Sequence, residues 1–333
     1  MFENIRGKVI AVVYIFENEC AEGFEHYDIW KSEVITGWLN AIESIKCVPY
    51  ILDTRTFIHK AMNHSLPIID YVINLNAGNE NLSCLGLIPS VCNFLGIPCI
   101  PCNTVSIIAG EHKKIANTIA EKIGLCVPAE LSPDSEKGIY RPLSYGSSRG
   151  VKKGIPTNMK DGIYQEFIPG FDITTPIMFN PLTKRMELLP TLIYQPDHAA
   201  TTWFLGENEK ASHSGFKRYC VDEIDPELAQ KYVNLAAAVS IQTFCRIDAR
   251  VLAHEINEFE SLKKNQICLH NTFFIEINPM PTIRIGNNYS DSLKYINKDN
   301  SFFAPWNIYK ETFSTENEIG FILCCAMCGI SNI

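Results

Sequence analysis

Phe273-Phe-Ile-Glu276-Ile-Asn278-Pro-Met-Pro281 is the stretch of sequence that decides the fold. Its apolar residues predict a β-strand, and Glu276 and Asn278, two positions apart, would leave the same face of that strand. Upstream, Arg246-Ile-Asp248 opens a second apolar segment. If the two segments pair, two carboxylates and an amide oxygen converge, and such an all-oxygen set suits Mg²⁺, with Mn²⁺ as a second option. The sequence therefore predicts a metal site formed by Asp248, Glu276 and Asn278.

Arg246 precedes Asp248 by two positions, so the two side chains would face the same space. There the guanidinium could stabilise negative charge that develops on a phosphoryl or acyl oxygen. The alternative interpretation is that each strand simply shows polar residues to water. Arg-x-Asp alone does not decide between the two, but Glu-x-Asn-Pro-x-Pro after an apolar strand favours the site.

The first hundred residues alternate between strand-like and helix-like segments. Lys8–Tyr14 is a continuous run rich in β-branched residues, typical of a strand that is covered on both faces. The strand-like segments that follow are 47–52, 68–75 and 97–100, and the helix-like segments are 29–45 and 81–95. This alternation predicts a small doubly wound domain with a parallel sheet and right-handed crossovers.

The rest of the chain completes an α/β pattern in three sequential units. A predicted helix over 106–123 ends at Gly124, and a second helix-like segment covers 228–243. The polar segment 195–214 is long enough to be a functional loop or lid. We predict an N-terminal substrate domain over 1–103, a central domain over 104–175 and a C-terminal catalytic domain over 176–333.

Composition and charge narrow the class of protein. The 333 residues are 46% hydrophobic and 20% charged, a normal globular balance. The formal net charge of −8 disfavours a nucleic-acid partner on electrostatic grounds. No apolar run approaches the roughly 20 residues of a membrane-spanning helix, and the first residues lack the layout of a signal peptide. We therefore expect a cytoplasmic protein without membrane contact, in which the apolar segment 319–330 is buried.

The 13 cysteines include two pairs with CxxC spacing, Cys99/Cys102 and Cys325/Cys328. Two such pairs could in principle complete a zinc tetrahedron. Both lie in apolar segments, however, and buried thiols behave as small hydrophobic residues, so structural thiols are the better interpretation. A cysteine-dependent enzyme would need a histidine partner, and His26, His112 and His198 form no recognisable pair with a cysteine.

Tyr145–Val151 is a candidate phosphate-binding loop. Its glycines, together with Ser147 and Ser148, would let backbone N–H groups and hydroxyls approach an oxyanion closely. Arg141 could place a cation over the same phosphates, and a plain flexible loop is the alternative. The sequence is not a P-loop, no GxGxxG follows the first strand, and kinase motifs are absent.

Tyr164–Asp172 predicts a strand that leads into a Pro-Gly turn. Backbone groups here could meet the edge of an adenine, and Asp172 would then be placed to accept hydrogen bonds from ribose hydroxyls. By themselves these residues fit a simple hairpin equally well.

Taken in order, these segments resemble the ATP-grasp superfamily, and most of all its D-alanine–D-alanine ligase branch, over nearly the whole chain. The stretches that carry the resemblance are Arg141-Pro142 with Gly146–Val151, Gln165–Ile168 with Gly170 and Asp172, Arg246–Asp248, and Glu276–Asn278. Near the N-terminus, Glu25-His26 followed by Ser32 is similar to the family's Glu-His-Glu-Val-Ser stretch, although the usual Gly-Gly before it is missing.

The resemblance implies an ATP-grasp architecture and gives roles to individual residues. It implies that ATP is contacted by Lys113 (or Lys114), Arg141, Ser147, Ser148, Gln165, Glu166, Ile168, Asp172 and, from the lid, Lys210. It also implies catalytic roles for Arg246 as the transition-state arginine, for Ser147, and for Glu25, which would hold a substrate ammonium.

Several positions depart from the family pattern. Arg141 stands where lysine is usual, Tyr145 replaces a common Glu, and Asp172 is one methylene shorter than the usual Glu. The family's lid Lys-Tyr pair is not evident in 195–214. After Asn278 the family usually has small residues and a Ser for the second substrate's carboxylate, whereas this chain has Met280, Thr282, Ile283, Arg284 and Asn287.

The function implied is that of an ATP- and Mg²⁺-dependent ligase that joins a small carboxylate to an amine through an acyl phosphate. Amino acids are the expected substrates, and a homodimer is compatible with the resemblance. The altered segment after Asn278 indicates a different acid or amine from that of a cell-wall enzyme. Two alternatives stay open: a nucleotide-binding or regulatory protein without turnover, and a ligase that acts on a peptide or a non-amino carboxylate.

Overall fold

The computed structural model describes residues 2–15, 32–76, 82–132, 138–144, 146, 148–154, 162–198, 200–296, 306 and 317–331. Within these residues the chain forms three β-sheets. One is parallel, lies near the N-terminus and has the strand order β2-β1-β3-β4, and the other two are antiparallel. The combination confirms the predicted α/β fold class.

The parallel sheet consists of β1 (Val9–Tyr14), β2 (Val48–Asp53), β3 (Tyr71–Leu75) and β4 (Cys99–Ile100). Both faces of β1 are covered, because alternate residues enter different apolar clusters: Ile10 and Val12 enter the main core, and Ala11 and Val13 a smaller one. The continuous apolar run in the sequence therefore has the burial that was predicted for it.

The helices around this sheet are α1 (Ser32–Ser44), α2 (Thr54–Met62), α3 (Leu82–Leu85), α4 (Leu87–Leu95), α5 (Thr104–Glu111) and α6 (Lys113–Ile123).

Two predicted helices are each divided in two. The helix predicted over 106–123 breaks at His112, whose backbone is extended with φ −81 and ψ 102. The break lets the N–H of Lys113 bond the carbonyl oxygen of Leu143 at 2.9 Å, so Lys113 opens a helix instead of lying inside one. The helix predicted over 81–95 breaks at Gly86 between α3 and α4.

The small antiparallel sheet has the order β6-β5-β7. It is formed by β5 (Gly138–Pro142), β6 (Lys152–Lys153) and β7 (Gly162–Glu166). The loop between β5 and β6 is the candidate phosphate loop.

The large antiparallel sheet has the order β11-β10-β8-β12-β13, with β9 beside β8. Its strands are β8 (Gly170–Asn180), β9 (Arg185–Leu188), β10 (Leu192–Pro196), β11 (Phe216–Cys220), β12 (Phe244–Leu252) and β13 (Thr272–Asn278). The remaining helices are α7 (Glu207–Ser212), α8 (Pro226–Ala238), α9 (Phe259–Lys264), α10 (Asn288–Ile296) and α11 (Glu318–Ser331).

Residues 167–169 connect the two antiparallel sheets. Strand β7 pairs with β5, whereas β8 pairs with β9, β10 and β12, so the two strands around Pro169-Gly170 do not pair with each other. The simple hairpin is therefore the wrong interpretation of Tyr164–Asp172. The boundary predicted at 175 falls inside β8, and we propose that the central unit ends in 167–169 instead.

The C-terminal helix α11 lies in the main core, where most of its side chains are buried. It packs against α1 and β8. Burial raises the pKa of the Cys325 thiol well above its usual range, as expected of a structural cysteine. Among the helices that the structure describes, none has the length and apolar character to cross a membrane.

Candidate active site

Strands β12 and β13 bring the four most informative side chains to one place. They pair antiparallel in a register that sets Arg246 opposite Asn278 and Asp248 opposite Glu276. Directly opposed residues share a face of the sheet, and residues two apart on one strand do the same. The convergence of Asp248, Glu276 and Asn278 that the sequence predicts is therefore present.

Asp248 accepts four hydrogen bonds, two on each carboxylate oxygen. Its Oδ1 accepts from Arg246 Nε at 2.8 Å and from Thr174 Oγ1 at 2.5 Å. Its Oδ2 accepts from Arg246 Nη2 at 2.7 Å and from Asn278 Nδ2 at 3.1 Å. The bidentate contact raises the pKa of Arg246 although burial alone would lower it. Thr174, on β8 opposite Asp248, is a contact that the sequence interpretation missed.

Glu276 is surrounded by cations. Its Oε2 lies 3.8 Å from Lys113 Nζ and 3.8 Å from Arg141 Nη2. Burial would raise the pKa of the Glu276 carboxyl, but the charges of Lys113, Lys210 and Arg141 outweigh it and hold the pKa at about 2. Burial in turn lowers the pKa of Lys113, against the opposing effect of Glu276.

Arg141 is fixed by an irregularity in β13. Asp248 pairs with Glu276 while the next residue, Ala249, pairs with Phe274, so Ile275 is an extra residue without a partner in the ladder. Its carbonyl oxygen accepts from Arg141 Nη2 at 2.6 Å.

The side chain of Gln165, a residue predicted to contact the nucleotide, supports Arg141. Its Oε1 accepts from Arg141 Nη1 at 3.2 Å, and its Nε2 donates to the carbonyl oxygen of Pro128 at 2.8 Å. The side chain is 1% exposed. Glu166, its neighbour, is exposed at the mouth of the cleft.

Arg250 organises the segment that follows β7. The side chain is 4% exposed, donates from Nε to the carbonyl oxygen of Ile168 at 2.7 Å, and donates from Nη1 to Asp172 Oδ1 at 2.9 Å. Its Nη2 donates to the carbonyl oxygens of Gly170 at 2.8 Å and Trp203 at 2.9 Å. Polar residues at every second position of β12 (246, 248 and 250) were the signal for this residue, which the sequence interpretation did not use.

The candidate phosphate loop touches the loop formed by residues 200–205. Ser148 has a left-handed backbone with φ 61 and donates from Oγ to the carbonyl oxygen of Leu205 at 2.9 Å. Lys153 Nζ donates to the carbonyl oxygen of Thr202 and lies 3.8 Å from the centroid of the Phe167 ring. Ser147 and Glu25, both predicted to be catalytic, lie outside the described residues.

Lys210 lies on the short helix α7, within the segment predicted to be a lid. It lines the same cleft as the residues above and is close enough to Glu276 to lower that carboxyl's pKa. The loop before α7 is anchored, because the N–H of Leu205 donates to Asp172 Oδ2 at 2.7 Å.

Lys113, Arg141, Arg246, Asp248, Glu276 and Asn278 line one cleft with a volume of about 1330 Å³. It extends from Glu166, Phe167 and Ile168 past Lys113, Arg141 and Glu276 to Arg246 and residues 280–291. The structure thus gathers the described candidate residues into a single site that is large enough for a nucleotide together with small substrates.

Solved structures share this architecture. The crystal structure of D-alanine–D-alanine ligase from Bacillus anthracis complexed with ATP superposes with a TM-score of 0.63 at 15% identity, covering 98% of this chain and 100% of that one. The VanG D-Ala:D-Ser ligase from Enterococcus faecalis gives a TM-score of 0.60 at 15% identity, with 95% and 100% covered. D-alanyl-alanine synthetase A from Vibrio cholerae gives 0.61 at 12% identity, with 96% and 99% covered.

The chain has the ATP-grasp fold of the D-alanine–D-alanine ligases. No protein-family model and no curated protein sequence matches it. The resemblance suggested by the short motifs is thus confirmed at the level of fold.

In this ATP-grasp fold, the residues predicted to hold Mg²⁺ fit a divalent cation in their chemistry. Asn278 Nδ2 lies 3.1 Å from Asp248 Oδ2 and 3.4 Å from Glu276 Oε1, so one weakly positive N–H group already bridges two carboxylates. A cation is favoured where carboxylate oxygens meet, and an amide oxygen can complete the set. Among the described residues, no three His, Cys, Asp or Glu side chains converge, so the proposed magnesium set reaches three ligands only with Asn278. Neither CxxC pair is part of such a group.

Proposed function

We propose that the chain is an ATP-dependent ligase that joins a carboxylic acid to an amine through an acyl phosphate and releases ADP and phosphate. The observation that supports it best is the convergence of Asp248, Glu276 and Asn278 beside Arg246, with Lys113 and Arg141 at the same carboxylate. Amino acids are the substrates that we propose, and the cytoplasm, with its ATP, is the compartment.

The proposed roles follow from position. Lys113 and Arg141 bind the phosphates of ATP, and Asp248, Glu276 and Asn278 hold Mg²⁺, which when bound neutralises phosphate charge. The substrate carboxylate attacks the γ-phosphate and displaces ADP. The amine then attacks the acyl phosphate, gives up a proton and displaces phosphate. Arg246, 19% exposed in its side chain, faces the cleft and stabilises the oxyanion of that second step.

Water must be excluded while the acyl phosphate exists, because hydrolysis would waste it. Loop 200–205 and α7 are suited to this task, since both line the cleft and Leu205 contacts Ser148 of the phosphate loop and Asp172 of β8. We propose that Lys210 on α7 adds a positive charge near the phosphates of ATP when loop 200–205 and α7 lie over the bound nucleotide.

The test is a measurement of ADP release with amino acids of both hands, supplied singly and in pairs. We expect Mg²⁺-dependent ADP release that requires both an acid and an amine, and its loss in Glu276→Gln and Asp248→Asn. Glu121→Gln, an exposed carboxylate on α6, is the matched control and should be fully active. Tight nucleotide binding without release of ADP in any combination would instead indicate a regulatory nucleotide-binding protein.

The first substrate has its own test. If it is an amino acid, Glu25→Ala should raise the KM for the acid without changing the KM for ATP, because the ammonium loses its carboxylate partner. An unchanged KM for the acid would indicate a carboxylate without an amino group.

A further inference from the structure

The end of the cleft beyond Arg246 carries an excess of positive charge. Among the described residues that line it there, Lys217, Arg218 and Arg284 are cationic and Asp291 is the one carboxylate. The whole chain, by contrast, has a formal net charge of −8. A local excess of the opposite sign indicates what kind of ligand this end receives.

Arg218 is engaged by its neighbours and fixes the wall of the cleft. Its Nη2 lies 2.8 Å from Asp291 Oδ2 and donates to the carbonyl oxygen of Gly286 at 2.9 Å. Its Nη1 donates to Asn288 Oδ1 at 2.8 Å, and the same oxygen accepts from Tyr194 Oη at 3.0 Å. Arg218 and Asp291 therefore neutralise each other, and their contacts hold the segment from 286 to 288.

Arg284 has no carboxylate partner among the described residues. Its Nη2 lies 2.7 Å from His213 Nε2, and no described carboxylate lies within 4.0 Å of the guanidinium. Lys217, on β11, likewise has no described carboxylate within that distance.

The other polar residue of this segment is used internally. The Oδ1 of Asn287 accepts from the N–H groups of Tyr289 and Ser290 at 3.1 and 3.3 Å, and its Nδ2 donates to the carbonyl oxygen of Thr282. Asn287 therefore caps α10 and is committed to the fold, which leaves Arg284 as the charged side chain that the segment 282–287 presents.

The position across the large sheet decides which substrate meets Arg284. Glu276, which contacts Lys113 and Arg141, lies on β13, and Arg218 lies on β11, at the opposite end of the strand order β11-β10-β8-β12-β13. Arg246 lies between them on β12, and Arg218 holds the segment 286–288 that follows Arg284. The positive end is therefore across the sheet from the residues proposed to bind phosphate, and we assign it to the amine-bearing substrate.

We propose that the amine-bearing substrate carries two negative groups, as an acidic amino acid does, and that Arg284 recognises the second of them. This rests on the ligase function proposed above. Arg284 is a specificity-determining residue in this proposal, and it takes no part in transferring phosphate.

The experiment compares isosteric acceptors that differ in charge: glutamate with glutamine, aspartate with asparagine, and phosphoserine with serine, each in both hands. We expect a KM at least about tenfold lower for the anionic member of one pair. Arg284→Gln should raise that KM about tenfold while the KM for ATP and for the neutral member stay within twofold. Arg185→Gln, an exposed arginine on β9 away from the cleft, is the control and should change nothing.

Different results overturn the two proposals. ADP release with neutral acceptors that equals or exceeds release with acidic ones leaves the ligase function standing and overturns the acidic acceptor. If no amine elicits ADP release, the ligase function falls, and calorimetric titration of glutamate against glutamine, with ADP and Mg²⁺ present, decides the recognition on its own. Equal or absent binding of the two, or binding that Arg284→Gln leaves unchanged, would overturn it.

Discussion

Arg250 and Asp172 form a partly buried ion pair, with 2.9 Å between Nη1 and Oδ1, at the point where the chain passes from the small antiparallel sheet to the large one. The same guanidinium bonds the carbonyl oxygens of Ile168, Gly170 and Trp203. One side chain on β12 thus holds both the predicted adenine-binding segment and loop 200–205. Asp172 has a donor on each oxygen, from Arg250 and from the N–H of Leu205, before any ribose arrives.

Arg250→Met should weaken both the fold and the nucleotide site. The change leaves the carbonyl oxygens of Ile168, Gly170 and Trp203 without this donor, and each unsatisfied buried acceptor costs about 1 to 3 kcal/mol of unfolding free energy. Urea unfolding measures the loss, and titration with ADP and Mg²⁺ should show affinity reduced at least about tenfold where the variant is folded. Arg185→Met on the exposed strand β9 is the control. An Arg250→Met variant with unchanged stability and ADP affinity would contradict the role given to this pair.

Thr174→Val should impair the metal site specifically. It removes a 2.5 Å hydrogen bond from Asp248 without changing side-chain size much, so we expect the Mg²⁺ concentration for half-maximal ADP release to rise about three- to tenfold. Thr175→Val, which instead breaks the contact between Thr175 Oγ1 and Thr191 Oγ1 at 2.9 Å, should lose similar stability and keep its Mg²⁺ response. Equal Mg²⁺ responses in the two variants would remove Thr174 from the site.

Gly170→Ala should be one of the most damaging single changes in the chain. Gly170 has φ +133, and a Cβ there would lie 1.9 Å from the carbonyl oxygen of Val251, which belongs to the rigid strand β12. We expect a loss of more than about 3 kcal/mol in unfolding free energy. Gly7→Ala, with φ +77 and open space around it, should lose only about 1 kcal/mol, so the difference between the two reports the collision. Similar losses in both would show that β8 and β12 can separate locally.

Glu276 should stabilise the fold in a pH-dependent manner. Its pKa is about 2 in the folded protein against 4.5 ordinarily, so its contribution is complete above about pH 5 and is lost as the pH falls from 4.5 toward 2. Urea unfolding of the wild type and of Glu276→Gln should give a constant difference from pH 8 to 5 that shrinks by pH 3. A difference that grows on acidification would have the wrong sign for a carboxylate held ionised by Lys113 and Arg141.

The parts of the site that follow from local pattern could be predicted from the sequence. Spacing of two along a strand puts Glu276 beside Asn278 and Arg246 beside Asp248, and their meeting needed only the pairing of two recognisable strands. The parallel N-terminal sheet likewise follows from apolar runs separated by helical segments.

Contacts fixed by tertiary structure could not be predicted in this way. Thr174 meets Asp248 through the register of two strands that are far apart in sequence. The break at His112 interrupts a sequence with a continuous helical pattern, because the N–H of Lys113 is better satisfied by Leu143 of another element. Gln165 was assigned to the nucleotide because its motif fits, yet in the folded chain its polar atoms are occupied by Arg141 and Pro128.

The bulge at Ile275 holds Arg141 through a main-chain oxygen rather than through a side chain. Every amino acid supplies that oxygen, so substitutions at position 275 should leave this contact in place. Deleting residue 275 would instead restore an uninterrupted β-ladder and remove the carbonyl oxygen to which Arg141 donates. Replacing the amide bond that follows residue 275 with an ester, which weakens that carbonyl as an acceptor, would expose a dependence that no ordinary substitution reaches.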